Sequence, residues 1–241
     1  MDLNEFSNKI LNKIKFLNIK LNDFQIIQLF NYMNLLIEWN EKINLTAITN
    51  PDEIIIKHFI DSVTINEFIE KNSKIIDIGT GAGFPGVPLK IVREDISITL
   101  MDSLNKRIVF LEEIIKKLDL KKVETVHARA EELGNNKLYR QKFDYATSRA
   151  VAPLNYLLEY MMPLVKVGGY CICMKGSNIE EELKEAESAI IKLGGKIENI
   201  WNFKLPETNI ERNIISIKKI KDTPKQFPRK PGIPKKQPII N

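Results

Sequence analysis

A run of isoleucines that breaks into three alternately spaced glycines fixes the centre of this chain's fold. Ile75, Ile76 and Ile78 surround Asp77, and Gly79, Gly81 and Gly83 follow at once. Apolar residues at consecutive positions suit a strand buried on both faces, as in a parallel sheet covered by helices. Glycine tolerates positive φ and presents bare backbone where a ligand comes close. Two carboxylates frame the turn. Asp77 stands two residues before the first glycine, and Asp102 ends the next apolar strand, Ile96-Ser97-Ile98-Thr99-Leu100-Met101. Asp102 lies 21 residues after Gly81, a separation that suits a carboxylate gripping ribose hydroxyls. The pattern predicts a nucleoside-type cofactor across the edge of a parallel sheet. The plainer reading is a tight strand-to-helix turn without a ligand.

The glycines read in two registers. Gly81-Ala82-Gly83-Phe84-Pro85-Gly86 satisfies the dinucleotide fingerprint, in which a pyrophosphate sits on the next helix N-terminus. Alternatively, Asp77-x-Gly79-x-Gly81-x-Gly83 resembles the first motif of S-adenosylmethionine-dependent methyltransferases. That cofactor carries an ammonium and a sulfonium but no phosphate. A nearby carboxylate attracts it and repels a pyrophosphate, so Asp77 favours the methyl donor.

The chain has 241 residues, 44% of them apolar, enough for one large α/β domain with a smaller appendage. No apolar run approaches the roughly 18 residues of a membrane span. Met1-Asp2-Leu3-Asn4-Glu5 lacks the features of a signal peptide. Cys171 and Cys173 share one face of an apolar strand without a His or Cys partner set. They predict buried packing rather than a metal site, and a reducing cytoplasm fits.

Residues 1–70 read as a helical extension. Phe6, Ile10, Ile14 and Leu17 recur at helical spacing, as do Ile27, Phe30, Met33, Leu36 and Ile37. Asn22 and Gln25 fit a capping box, and Asn50-Pro51 starts a third helix carrying His58 and Asp61. Residues 71–221 alternate strand and helix, with strands expected at 74–78, 97–101, 123–127, 143–147, 168–174, 196–203 and 213–220. Helices are expected at 86–93, 104–118, 152–165 and 178–193. The last two strands, joined by a polar loop, read as an antiparallel hairpin. This predicts a seven-stranded, doubly wound, mostly parallel α/β sheet. Ligands in such sheets bind beyond the carboxyl ends of the strands, here 79–84, 102–104, 128–131 and 148–150.

Charge is uneven. From Lys218 to Asn241 there are eight Lys or Arg and one Asp, +7, against +5 for the whole chain, so the other 217 residues carry −2. Residues 222–241 thus read as a basic, Pro-rich tail suited to a polyanion, or as a solvated terminus. Lys225, Arg229, Lys230, Lys235 and Lys236 are its candidate RNA contacts, with Arg129 and Lys175 at strand ends.

Several separated segments resemble one family, the bacterial small-subunit (16S) ribosomal RNA guanine-N7 methyltransferases, also called glucose-inhibited division protein B. They are Trp39 through Thr46, His58-Phe59-Ile60-Asp61-Ser62, Asp77 through Pro88, Ala128-Arg129-Ala130-Glu131, Ser148-Arg149-Ala150-Val151-Ala152-Pro153, Lys175-Gly176 and Phe227 through Pro234. The resemblance implies a class I, Rossmann-like methyltransferase fold. It also implies methyl transfer from S-adenosylmethionine to N7 of one guanine in the decoding region of the small subunit. By the same resemblance Gly79 and Phe84 line the cofactor site, Ala130 and Glu131 hold the adenine end, and Arg149 closes the pocket. A monomer acting on ribosomal RNA or the small subunit is the expected state.

The Asn/Asp-Pro-Pro-aromatic motif of many exocyclic-amine methyltransferases is replaced here by Ser148-Arg149-Ala150-Val151. Guanine N7 needs no proton removed before it attacks, so no general base is required and none is obvious; Arg149 is the only candidate catalytic residue. Arg149 has three readings: pairing with the cofactor carboxylate, contacting an RNA phosphate, or a structural ion pair. Arg129 reads as a phosphate contact or a structural pair, and Lys175 as a substrate-side cation or part of a turn. His58 reads as a buried histidine bonded to Asp61 or backbone, or as a residue near the substrate. Trp39 reads as core packing or base stacking.

Overall fold

The computed structural model of the chain describes residues 1–149 and 151–240. Seven strands form one sheet: β1 Lys74–Ile78, β2 Ser97–Asp102, β3 Val123–His127, β4 Phe143–Arg149, β5 Val165–Lys175, β6 Gly195–Lys204 and β7 Glu211–Lys219. The order is β3-β2-β1-β4-β5-β7-β6. The first five strands pair in parallel, and β7 is antiparallel to both β5 and β6. Strand order reverses between β1 and β4, which opens the crevice in which sheets of this kind bind ligands. The glycine turn leaves β1 at this point.

Each strand presents one set of side chains to each face. Ile75, Ile98, Leu100, Tyr145, Ile172 and Ile214 pack with α1 (Leu3–Ile14), α2 (Asp23–Ile43), α5 (Gly86–Val92) and α6 (Asn105–Lys117). Ile76, Ile78, Met101, Ala146, Cys171, Cys173 and Ile215 pack with α8 (Leu154–Met161) and α9 (Glu180–Lys192). Both cysteines are fully buried, their sulfurs against Met161 and Met162, and burial pushes both thiols up.

The helical extension covers one face of the sheet. Asn22 and Gln25 form the expected capping box of α2. The buried stripe of α2 is rotated from the expected one: Ile26, Leu29, Tyr32, Met33 and Leu36 face inward, while Ile27 is 41% exposed. Its apolar residues extend around too much of the helix for periodicity alone to choose a face. The third helix is continuous from α3 (Pro51–Ile54) through a π-helical turn, Ile55–Ile60, into α4 (Asp61–Val63).

The structure adds two helices to those expected, α7 (Ala130–Asn135) and α10 (Ile233–Lys236). It also shortens the expected helix 152–165, because β5 begins at Val165 and runs through Gly168 and Gly169. The tail is not a solvated arm. Phe227, Pro228, Pro234 and Ile239 are buried, and Phe227 and Ile239 join the core on the α8–α9 side.

Candidate functional site

Asp77 braces the turn from beneath. Fully buried on β1, it accepts from the Thr80 hydroxyl at 2.6 Å and the Gly86 amide at 2.9 Å, both through Oδ2. Its Oδ1 is buried without a protein partner. Burial pushes the carboxyl up to about 7 against these hydrogen bonds. Gly86 opens α5, and a Cβ there would lie 2.4 Å from Leu100 and 2.8 Å from Asp77 Oδ2. The carboxylate therefore holds the amide on which the dinucleotide register places a pyrophosphate, so the turn fits a cation and disfavours that anion.

The three glycines differ. Gly79 and Gly81 have φ of +66° and +63°, where other residues are strained. A Cβ on Gly81 would meet open space, so its backbone is bare toward the crevice, while at Gly79 it would lie 2.8 Å from Val151. Gly83, expected at the rim, instead sits beneath Tyr32, Val87 and Leu111 and lets α2 approach the turn.

Asp102 reaches the turn from β2. Its carboxylate accepts from Gly81 N and Leu104 N, each at 2.9 Å, and from Arg107 Nη1 at 3.1 Å. Its first role is to hold the loop, a partnership that spacing alone did not reveal. Arg107 Nη1 also lies 3.5 Å from Oδ1, so a ligand hydroxyl would take over this long contact among the roughly four acceptor positions of the carboxylate. The buried unpaired oxygen of Asp77, the bare Gly81 backbone and the Asp102 carboxylate beside them together fit S-adenosylmethionine.

Arg149, Phe84 and His58 form one cluster. The Phe84 ring stacks on His58 with centroids 4.3 Å apart and 16° between planes, and the Arg149 guanidinium lies 4.8 Å from the ring centroid. Arg149 Nη2 donates to His58 Nδ1 at 3.0 Å, and Nη1 reaches Lys57 O at 2.9 Å and Asp61 Oδ2 at 3.2 Å. Arginine has only donors, so Nδ1 carries no proton and Nε2–H donates to Thr46 Oγ1 at 2.9 Å. Burial, then the Arg149 charge, holds His58 down to about 3. It is a buried, neutral histidine whose side-chain partners are Thr46 and Arg149, and Asp61 pairs with Arg149 instead. Asp61 also accepts from Arg212 Nε at 3.0 Å, and burial raises its carboxyl despite both cations. A cleft of about 350 Å³ opens beside this cluster, lined by His58, Asp61, Arg149, Met174, Lys175 and Arg212 among others.

Two expected RNA contacts are engaged elsewhere. Lys175 pairs with Glu182 and donates to Ala152 O, its side chain 9% exposed. Arg229 pairs with Glu159. Arg129, Lys225, Lys230, Lys235 and Lys236 are exposed. Ala130 and Glu131 begin α7 and are buried, and Glu131 Oε1 accepts from Gly232 N. Ala150 lies outside the described residues. Trp39 is half-buried against Phe110, 5.6 Å between centroids. Arg212 carries no signal in the sequence, and Thr46 and Asp61 stand there within segments that carry the resemblance, Asp61 as an expected partner for His58; the fold brings the three together around His58 and Arg149. Among the described residues no cluster of three or more His, Cys, Asp or Glu is placed to hold a metal ion, and no helix is long and apolar enough to cross a membrane.

Known proteins agree with this geometry. The family model described as rRNA small subunit methyltransferase G matches residues 25–215. The chain is 53% identical over 225 residues to the ribosomal RNA small subunit methyltransferase G of Alkaliphilus oremlandii, covering 92% of this chain and 94% of that protein. It is 50% identical over 239 residues to the protein of the same name from Desulforamulus reducens, covering 98% and 100%. Among solved structures, M. jannaschii TYW2 in complex with AdoMet superposes with a TM-score of 0.53 at 16% identity, over 66% of this chain and 75% of that one. A SAM-dependent methyltransferase from Aquifex aeolicus gives 0.50 at 19% identity, over 70% and 93%. These two support the fold, a class I methyltransferase sheet. The full-length relatives go further: the chain belongs to the rRNA small subunit methyltransferase G family.

Proposed function

We propose that the chain transfers a methyl group from S-adenosylmethionine to N7 of one guanine in small-subunit (16S) ribosomal RNA, in the cytoplasm and as a monomer. The observation that carries this reading is the Asp77-braced glycine turn at the reversal of strand order. It occurs in a chain about half identical, along nearly its whole length, to proteins named for ribosomal RNA methylation.

The bound cofactor supplies an electrophilic methyl group on a sulfonium cation. Asp77 provides negative charge beneath the turn, and the bare backbone of Gly81 sets the distance of approach. Asp102 would accept from a ribose hydroxyl in place of its long Arg107 contact, and Ala130 and Glu131 would take the adenine end. Arg149 and Phe84 close the crevice. The cleft beside Arg149 receives the unstacked guanine.

N7 of guanine has a free lone pair, so the protein needs to remove no proton before attack. The cluster agrees with this: the one unprotonated His58 nitrogen already accepts from Arg149, which makes His58 a poor general base. The contribution of the protein is alignment, which is worth about 7–11 kcal/mol in favourable cases. Methylation makes the ring cationic, and Asp61 is the carboxylate on the cleft wall that can offset that charge. Exposed Arg129, Lys225, Lys230, Lys235 and Lys236 add phosphate contacts without sequence choice. Selection of one base rests on the folded RNA around it.

The test is nucleoside mass spectrometry of ribosomal RNA from a strain lacking the gene. Loss of one 7-methylguanosine, restored by the wild-type gene and not by Gly79→Arg, supports the proposal. Unchanged modification refutes it.

A further inference from the structure

The basic tail does more than carry charge. Its backbone is fastened to the part of the protein assigned to the adenine end of the cofactor. The Gly232 amide donates to Glu131 Oε1 at 3.0 Å. Gly232 has φ of +83°, a conformation that favours glycine and turns the chain sharply between Pro231 and α10. Glu131 is buried in the first turn of α7, a helix of only six residues. So short a helix contributes little rigidity of its own, so neighbouring chain must fix the direction of this carboxylate.

That fixing begins at Arg229. Its Nε lies 3.0 and 3.2 Å from the two Glu159 oxygens, and its Nη2 lies 2.7 Å from Oε2. The Arg229 backbone amide donates to Glu159 Oε1 at 2.7 Å. Glu159 on α8 is 0% exposed. A buried carboxylate met by a planar fork is geometrically exacting, and losing one partner leaves a stranded charge. Just before this anchor the tail is tied directly to α7. Asn135 Nδ2 donates to Glu131 O and to Pro228 O, both at 3.0 Å. Arg140 Nη1 joins Gly134 O at 2.9 Å to Phe227 O at 2.7 Å. Pro228 packs so closely on Gly134 that a Cβ there would lie 2.7 Å from the proline ring.

We propose that segment 227–232 is a latch for the cofactor site, in which Arg229 and Gly232 are positioning residues that hold Glu131 in its cofactor-accepting orientation. The inference rests on the assignment of Glu131 to the cofactor made above. It gives Arg229 a task different from the RNA contact expected from its charge. It also couples two ligands: the latch carries Lys230, and α10 carries Lys235 and Lys236, so a bound cofactor that tightens Glu131 also orders these cations. Linkage makes the effect reciprocal.

Calorimetry with S-adenosylhomocysteine, without RNA, tests the latch in four proteins: wild type, Arg229→Ala, Glu131→Ala and the double variant. Arg229→Ala is expected to weaken binding about tenfold, Glu131→Ala at least as much, and the double variant no more than Glu131→Ala alone. Additive losses would mean that Arg229 acts through the general fold and would overturn the latch. If Glu131→Ala leaves affinity unchanged, the assignment of Glu131 to the cofactor fails first, and the latch with it. If Arg229→Ala weakens RNA binding at unchanged cofactor affinity, Glu131 keeps its role and the latch alone falls. A second measurement needs no variant. Trypsin cleavage of wild-type protein after the exposed Lys236, which Gln237 follows, is expected to slow at least threefold with saturating S-adenosylhomocysteine, and an unchanged rate overturns the proposal.

Discussion

Replacing Asp77 by Asn separates what the buried carboxylate costs the fold from what it gives the cofactor. Asp77 is fully buried, and burial pushes its carboxyl from 3.8 to about 7. That rise corresponds to about 4 kcal/mol of charge burial at high pH. The folded value lies above the unfolded one. Stabilisation by the protonated carboxyl is therefore complete below about 4 and is lost as pH rises through about 7. In Asp77→Asn the amide oxygen would keep the acceptor facing Thr80 and Gly86, and the NH₂ would take the position of the unpartnered Oδ1. An unsatisfied buried amide costs about 1–3 kcal/mol. The net expectation is a gain of about 2 kcal/mol at pH 8, or about 4–8 °C for a chain of this size. The advantage should shrink as pH falls toward 5, where wild-type Asp77 is protonated. Cofactor affinity should move the other way, falling at least tenfold, about 1.4 kcal/mol. In the wild type it should rise with pH up to about 7 and then level. Urea unfolding and calorimetry at pH 5 and pH 8 give both quantities. A variant less stable than wild type at pH 8, or one that binds S-adenosylmethionine equally well, would rule out this role for Asp77.

Other outcomes follow from the same geometry. Arg149→Ala strands Asp61 with Arg212 alone and is expected to lower stability by about 3–5 kcal/mol in denaturant unfolding. Asp61→Asn should soften that loss in a double-mutant cycle. Removing Arg149 should also raise the His58 pKa from about 3, read by NMR in a chain with only two histidines. An unmoved resonance would contradict the pairing. Replacing Lys235 and Lys236 together by Ala should leave cofactor affinity unchanged. It should also flatten the salt dependence of RNA binding by about 0.7–0.9 in log–log slope for each phosphate no longer neutralised. An unchanged slope would remove those lysines from the interface.

Local signals made much of the fold legible. A buried strand ending in glycines, a capping box at Asn22 and Gln25, and a polar loop between two alternating strands each specify themselves within a few residues. The corresponding elements stand where those signals placed them. Partnerships were not legible, because their members are far apart in the chain. Arg149 meets a histidine 91 positions earlier, and Arg229 meets a glutamate 70 positions earlier. Counting charge in the tail gave the sign of its surface, but not that Phe227 and Ile239 anchor it to the core. Asp102 was found as a strand-end carboxylate, while its bonds to Gly81, Leu104 and Arg107 depend on a turn whose path only the fold determines. The π-helical turn that carries His58 has no sequence signature; such insertions often accompany functional sites.

Methyl delivery from this crevice to a ring nitrogen of guanine is tested with purified protein, S-adenosylmethionine labelled in the methyl group, and small ribosomal subunits from a strain lacking the gene. After nucleoside digestion, one labelled species is expected, 7-methylguanosine, near one per subunit. Label on an exocyclic amine, or none in RNA while the protein binds the cofactor, would contradict it.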